Sequence, residues 1–564
     1  MPTNPQKTKS EQQTKFDLGK GDPKILPVRE PLPEYLKIAK TIRIAVSGDV
    51  LLTKLEMDII DTSDFQRLRH IRQLGTVNAV YPTALHTRFD HSLGTLAMAD
   101  RMVQAIRNNT HSTREEQEID HMQEALTRLY ALLHDVPHVP FGHTIEDELS
   151  IFIRHDKNPA RIERFFGKSS QVGSLIIKHL GEEAYDRFMA IYTWDEDKDS
   201  PLENDDNFIY DIVSNTVCAD LLDYLKRDSY FCNLEIPLDY RFLNFIYLGR
   251  DAKNLKRVFV RLWKQDKHQP RRDTLTGLAG LLEARYLVAE RAYFHHAKII
   301  TGAMLGRALQ ESYLSGEISE EDLYALGDDT LLHRLSNSKN PICKQLASNL
   351  NNRRLYKSLR KFTRADFEAT QEQDHDQNAL NTAYLRLSDP NSRKSLEDQL
   401  AAEIGAGPGD VILYSPDKRM NLKAAKMKVL WQGNPKSLSE IDDKIIAPKL
   451  NVILEAHKML WGIHVICSTK LSNRQKELLS LACEIEFLCN ADKKPAKQHK
   501  YYEDLIELHL LKKNPETRLS SAEFLAKRSD AASALVATAS DNRPWSKRID
   551  DVVKQFFGET TQTE

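Results

Sequence analysis

Residues 124–143 read EALTRLYALLHDVPHVPFGH. Leu126, Leu129, Leu132 and Leu133 recur at helical spacing, so the stretch predicts a helix with one apolar face that ends at the adjacent pair His134-Asp135. Two more histidines, His138 and His143, follow in a turn-rich segment. A helix frays at its end, so side-chain directions are less fixed there and an adjacent His and Asp can both reach one ion.

A His-Asp dipeptide alone is a weak signal, and two flanking segments strengthen it. Upstream, YPTALHTRFDHSLG (81–94) supplies His91, and downstream VCADLLDYLKRD (217–228) supplies Asp220. Two imidazoles and two carboxylates make a mixed nitrogen and oxygen set suited to Mn, Fe, Ni or Zn and tolerant of Mg. Such a set leaves positions for water and a phosphate oxygen, where the cation acidifies the water and polarises the phosphoryl group. The bland alternative is that His91 and His134 are ordinary core histidines.

The helix carrying Asp220 supports a shared site. At 100° per residue, Tyr224 lies about 40° and Asp228 about 80° from Asp220, while Leu221, Leu222 and Leu225 fall on another face. One face therefore carries an acid, a phenol and a second acid, and the other carries core contacts. Arg88, three residues before His91, has the fork geometry that clamps phosphate oxygens, or else pairs with Asp90 or another acid.

The order His91, His134-Asp135, Asp220 resembles the HD superfamily of metal-dependent phosphohydrolases. DTSDFQRLRHIRQLG (61–75), YPTALHTRFDHSLG and ARYLVAERAYFHH (284–296) are similar to its deoxynucleotide triphosphohydrolase branch, closely over roughly residues 40–310. The resemblance implies a mainly α fold, with an HD-domain helical core over 36–315 and a smaller α+β C-terminal lobe within 316–530. It implies metal ligation by His91, His134, Asp135 and Asp220. It also implies substrate contacts from Arg88, His143, Tyr224, Asp228, Arg285, Tyr293 and Gln73, with His138 near the leaving oxygen. Simple spacing would put the animal members' His-Glu acid pair near Ser169-Ser170, which cannot donate well; RHD (154–156) offers His155 and Asp156 closer in sequence, so His155 is the candidate proton donor. The animal enzymes carry a lysine after the last metal aspartate; here it is Leu221, and Lys226 or Lys298 are the candidates to replace that cation.

The expected reaction is hydrolysis of a dNTP to a deoxynucleoside and inorganic triphosphate. Competing readings are action on a nucleoside monophosphate, a cyclic nucleotide or a nucleic-acid end, or a regulatory nucleotide-binding module. The resemblance further implies a nucleotide activator at Asp61 and Arg69 between subunits, and so a homo-oligomer; the plain alternative for those two is a helix-stabilising pair.

Bulk properties agree with a soluble enzyme. The 564 residues suggest two or three lobes, and 41% hydrophobic residues suffice for large cores. A net charge of -2 gives no indication of nucleic-acid or anionic-membrane binding. No apolar run approaches the ~20 residues needed to span a bilayer. Six scattered cysteines without CxxC spacing fit a reducing, cytoplasmic location. Residues 1–35 read as a flexible arm and 531–564 as a partly disordered tail. Strand-like runs are expected at MKVLW (427–431), NVILEA (451–456) and GIHVICS (462–468), a hairpin then a helix over 42–60, loops at 264–273 and 369–378, and one long helix from about 276 to 313.

Overall fold

The computed structural model describes residues 32–113, 119–196, 200–264, 267–369, 376–416, 427–432, 434–488, 494–513, 522–537 and 545–558. The flexible arm therefore lies almost wholly outside the described residues, as does most of the loop expected at 369–378.

The N-terminal hairpin pairs Ile38–Ile44 with Gly48–Thr53 and places Ile42 opposite Val50. Thr53 ends it and caps the helix Lys54–Ile60 in a capping box with Glu56. Arg128 fixes this unit to the core: its guanidinium reaches both oxygens of Glu56 at 2.7 and 2.9 Å, and also donates to Asp100 and the Leu51 carbonyl. Burying these charges is tolerable because each has a hydrogen-bonded partner.

Three helices frame the site: Arg88–Thr113, His121–Leu133 and Ala219–Phe231. Asp120 caps the second one in a box with Gln123, and the apolar residues read from the sequence are buried in the main core. The first and third approach closely at Gly94. A Cβ there would lie 2.1 Å from Asp223 Oδ1 and 2.3 Å from Arg227 Nη2. Gly94→Ala is therefore expected to cost about 1–3 kcal/mol of unfolding free energy by overpacking, read from a denaturant midpoint. An unchanged midpoint would show that this approach is looser than the geometry requires.

The long helix expected over 276–313 is two helices. Arg272–Val288 runs into a π-turn at Ala289–Tyr293, and the chain restarts at His296–Leu314 with His295 as N-cap. Periodicity was continuous enough to hide the break. The wide turn re-aims Tyr293, so its angle from Arg285 is not that of a straight helix. The loop expected at 264–273 carries the short pair Trp263–Lys264 with Gln269–Pro270 and then starts the Arg272 helix.

The α+β character of the C-terminal half is present. Gly462–Cys467 lies between Lys357–Thr363 and Val411–Tyr414 in an antiparallel sheet. Lys428–Trp431 instead pairs in parallel with Lys256–Arg261, and Met427, Val429, Trp431, Leu438, Ile446 and Leu450 join the main core. NVILEA is not a strand. It belongs to the helix Ile446–Lys458, which buries Ile446, Leu450, Ile453 and His457 at intervals of three and four. The stretch read as a tail carries the helices Ala522–Ala537 and Trp545–Phe557, whose Ala531, Leu535, Ile549 and Val553 are core residues of the second lobe. A third cluster links the halves, packing Val139, Phe141 and Ile145 against Ile299, Met304, Leu331 and Tyr414. Among the described residues no helix is long and apolar enough to cross a membrane.

Candidate metal centre and active site

His91 lies in the first turn of its helix, His134 caps the end of the second helix, Asp135 follows directly, and Asp220 begins the third. These separate elements bring four side chains together. His91 Nε2 is 3.0 Å from Asp220 Oδ1 and 3.7 Å from Asp135 Oδ2; His134 Nε2 is 3.6 Å from Asp135 Oδ1 and 3.8 Å from Asp220 Oδ1. Ligand atoms about 2.1 Å from one ion are separated by about 3.0–3.4 Å at adjacent coordination positions, so the spacing fits one cation. His91, His134 and Asp135 form a cluster with ligand atoms within 4.8 Å of one another. The Nε2 atoms of His91 and His134 are buried and have no hydrogen-bond partner among the described residues. Two buried imidazole nitrogens converging on two carboxylates are what a divalent ion satisfies.

Each imidazole is held from behind. His134 Nδ1 donates to the Ala131 carbonyl at 2.9 Å, and His91 Nδ1 lies 3.0 Å from Asp223 Oδ2. Asp223 is in turn clamped by Arg227 through two 2.9 Å bonds and by Ser47 of the hairpin turn at 3.2 Å. Burial lowers the basicity of His91, but Asp220 and Asp223 outweigh it and hold its pKa up to about 10 in the absence of a cation. Asp223 was not singled out from the sequence. Asp223→Asn is expected to weaken metal affinity about 10–100-fold, as loss of a ligand-orienting carboxylate does. The measurement is competition with a chelator; unchanged affinity would deny Asp223 that part.

Arg88 is buried and donates to Asp135 Oδ2 at 2.5 Å, so the salt bridge it makes is to the candidate ligand rather than to Asp90, which caps Thr87 instead. Burial alone would raise the Asp135 pKa, yet Arg88 and the neighbouring histidines hold it well below the carboxylate range. The PFGH turn is shaped for this contact. Phe141 and Gly142 both have positive φ, and a Cβ on Gly142 would stand 2.5 Å from Arg88 Nη2.

His138 and His155 form the other side of the site, with ring centroids 3.6 Å apart. His138 Nε2 faces Asp135 Oδ1 at 3.3 Å. Both Nδ1 atoms approach Glu146 Oε2, at 3.0 Å from His138 and 3.1 Å from His155. Buried Arg161 pairs with the other Glu146 oxygen and with Glu320. Burial and the charges of Arg88 and His155 push His138 down to about 4; burial also acts to lower His155, but Glu146 raises it above its ordinary value. The two stacked imidazoles are thus shifted in opposite directions, His138 down and His155 up. Asp156, expected beside His155, is instead bonded to Arg154 at 3.0 and 3.2 Å. Glu146 was missed because it lies in a π-turn whose direction the sequence does not reveal. His143 is half exposed and bonded to Asp147 at 2.5 Å.

The remaining candidates line the helix away from the metal cluster. Tyr224 and Arg285 are half-buried; burial pushes the Tyr224 phenol up while the charge of Arg285 opposes it. Among the described residues Arg285 has no ion-pair or hydrogen-bond partner. Tyr293 donates to Asp228 Oδ2 at 2.5 Å, and His86 Nε2 lies 2.9 Å from Asp228 Oδ1. The Gln73 backbone N–H donates to the His86 backbone carbonyl at 3.0 Å. Leu221 is buried in the core. Neither proposed substitute cation is free: Lys226 donates to the Val46 carbonyl, and buried Lys298 pairs with Glu148, which also accepts from Tyr414. Asp61 and Arg69 are both exposed and do not pair with each other; Arg69 instead lies over the Phe89 ring at 3.5 Å.

Residues 88–225 match the HD domain family and residues 275–479 match the HD associated region. The first span contains all four candidate ligands. The chain is 30% identical over 339 residues to the deoxynucleoside triphosphate triphosphohydrolase SAMHD1 homolog of Dictyostelium discoideum, covering 57% of this chain and 60% of that protein. It is 29% identical over 326 residues to an uncharacterized protein of Methanocaldococcus jannaschii, covering 57% and 59%, and 26% identical over 381 residues to the deoxynucleoside triphosphate triphosphohydrolase SAMHD1 of Gallus gallus, covering 60% and 58%. The matches thus span about three-fifths of these relatives' length. A crystal structure of a hypothetical protein from Aquifex aeolicus shares the fold, with a TM-score of 0.54 and 20% identity over 78% of this chain and 99% of that one.

Proposed function

We propose, from the premise that this is an HD-domain chain similar to deoxynucleoside triphosphate triphosphohydrolases, that it hydrolyses a dNTP to a deoxynucleoside and inorganic triphosphate. The observation that carries the reading is that the helix opening on Asp220 bears a second polar group further along. The first group is the cluster of His91, His134, Asp135 and Asp220; the second is the polar face of Tyr224, Asp228, Arg285 and Tyr293 on the same helix and its neighbour.

A divalent cation, whether Mn, Fe, Ni, Zn or Mg, supplies Lewis acidity toward a phosphate oxygen and lowers the pKa of a water. The chain's own residues do the rest. Arg88 fixes Asp135, and Arg285, free of any counter-ion among the described residues, offers a charge to the phosphates. His143 reaches them from the half-exposed rim. His155, kept basic by Glu146, holds the proton for the 5′ oxygen, with His138 beside it. Asp228, Tyr293 and Gln73 take the sugar end.

Position 221 favours keeping a second reading, hydrolysis of a monophosphate or cyclic nucleotide, because a buried leucine stands where the triphosphate would gain a cation. The proposal extends to a homo-oligomer whose exposed Asp61 and Arg69 meet a nucleotide activator, and to a reducing cytoplasmic setting, which the five free cysteines buried among the described residues suit. The test is a screen of the metal-loaded protein against dNTPs, NTPs, dNMPs and cyclic nucleotides, with products separated by chromatography. Triphosphate and deoxynucleoside are the expected products. Stepwise phosphate release, or turnover confined to monophosphates or cyclic nucleotides, would reject the reading.

A further inference from the structure

His86 belongs to no part of the chemistry described so far, yet three candidate substrate residues meet through it. Its side chain is fully buried. Its ring stacks on Phe231, with centroids 4.6 Å apart and planes at 19°. Nε2 lies 2.9 Å from Asp228 Oδ1, the other oxygen of which accepts from Tyr293. Its backbone carbonyl accepts from the Gln73 N–H. A carboxylate only accepts, so the His86 proton sits on Nε2. Nδ1 has no partner among the described residues, which leaves Asp228 as the ring's sole polar tether.

The hydrogen-bond balance at this corner says what would complete it. Each Asp228 oxygen has spent one lone pair, on His86 or on Tyr293, and keeps another. Gln73 Oε1 is buried and accepts from nothing among the described residues. His86 Nε2–H and the Tyr293 hydroxyl proton are already committed to Asp228. The corner thus has acceptors to spare, on Asp228 and on Gln73 Oε1, that a donor on a ligand can fill. A deoxynucleotide carries one free sugar hydroxyl, at the 3′ position. Without His86, the Asp228 carboxylate keeps Tyr293 as its one side-chain hydrogen-bond partner among the described residues and can turn about its side-chain bond.

We propose that His86 is a positioning residue: pinned by Phe231, it fixes the Asp228 carboxylate so that the site recognises the sugar 3′-hydroxyl. The inference rests on the triphosphohydrolase reading and adds to it the origin of sugar recognition. The experiment measures kcat and KM of the metal-loaded full chain for dNTPs and for their 2′,3′-dideoxy counterparts, in the natural protein, His86→Phe and His86→Gln. Phenylalanine keeps the stack and removes the donor; the glutamine amide restores a donor to Asp228. The expected result for His86→Phe is a loss of at least about tenfold in kcat/KM on dNTPs, as for a lost hydrogen bond to a charged group. Dideoxynucleotide turnover should change little, so the preference between the two collapses, and His86→Gln should recover part of it. If His86→Phe does not fold, His86→Asn, whose amide stops short of Asp228, decides in the same way. Equal losses on both substrates, or an undiminished preference, would overturn the proposal. A natural protein that hydrolyses neither triphosphate but does hydrolyse monophosphates or cyclic nucleotides fails earlier, and removes the reading on which His86's part depends.

Discussion

Asp135→Asn is expected to lose its bound cation and to fall in phosphohydrolase activity by on the order of 10³-fold or more, because the ion supplies several kcal/mol of charge stabilisation. Asp135 stands against His91, His134, His138 and Arg88. The choice of substituent matters. Asp135→Ala would also strip the buried Arg88 of its partner, and breaking a buried ion pair by removing one side costs about 3–5 kcal/mol. A dead alanine variant would then confuse metal loss with unfolding. Asparagine keeps an amide oxygen for Arg88 while removing the anionic donor. Metal content measured on the purified variant, beside its melting curve, separates the two effects. A folded Asp135→Asn protein that retained its cation and full turnover would refute the metal assignment.

The sequence made the candidate quartet legible because each of its four residues sits beside a strong local signal. His134-Asp135 follows an apolar helix, His91 lies in RFDHSLG, and Asp220 opens an amphipathic helix. What supports the quartet was not legible. Asp223 reaches His91 across 132 residues, and His86 reaches Asp228 across 142. A carboxylate on a helix, or a histidine in a loop, carries no local mark of such a partner. Glu146 is close in sequence to His155, but only the π-turn aims it inward, and Asp156 was the nearer acid. The fold was read on the same terms. Alternation gave the N-terminal hairpin and GIHVICS, whereas the short apolar run of NVILEA matched a strand until the whole helix Ile446–Lys458 is considered. The parallel pairing of Lys428–Trp431 with Lys256–Arg261 is a contact between distant segments that no window of sequence contains.

Arg285→Ala is expected to lower kcat/KM for dNTPs by about 10–100-fold, the worth of a charge-assisted contact, while affecting dNMP turnover far less. The asymmetry follows from placement. Arg285 acts electrostatically on Tyr224, Cys218 and His457, which puts its charge beside the Asp220 helix yet outside the ligand cluster. A monophosphate held at the cluster need not extend to it; a triphosphate does. With Lys226 and Lys298 both engaged elsewhere, Arg285 is the cation among these candidates that remains for the outer phosphates. Restoring a lysine at position 221 is not an equivalent remedy. Leu221 packs in the main core, so Leu221→Lys would either bury an ammonium or bend its stem out to escape, and a loss of stability should outweigh any gain in binding. The informative comparison is therefore the dNTP-to-dNMP ratio of kcat/KM in the natural protein and in Arg285→Ala, since the removal of a half-buried side chain that bonds to nothing described should leave the fold intact. If the ratio does not move, the arginine does not meet a triphosphate, and the monophosphate or cyclic-nucleotide reading takes precedence.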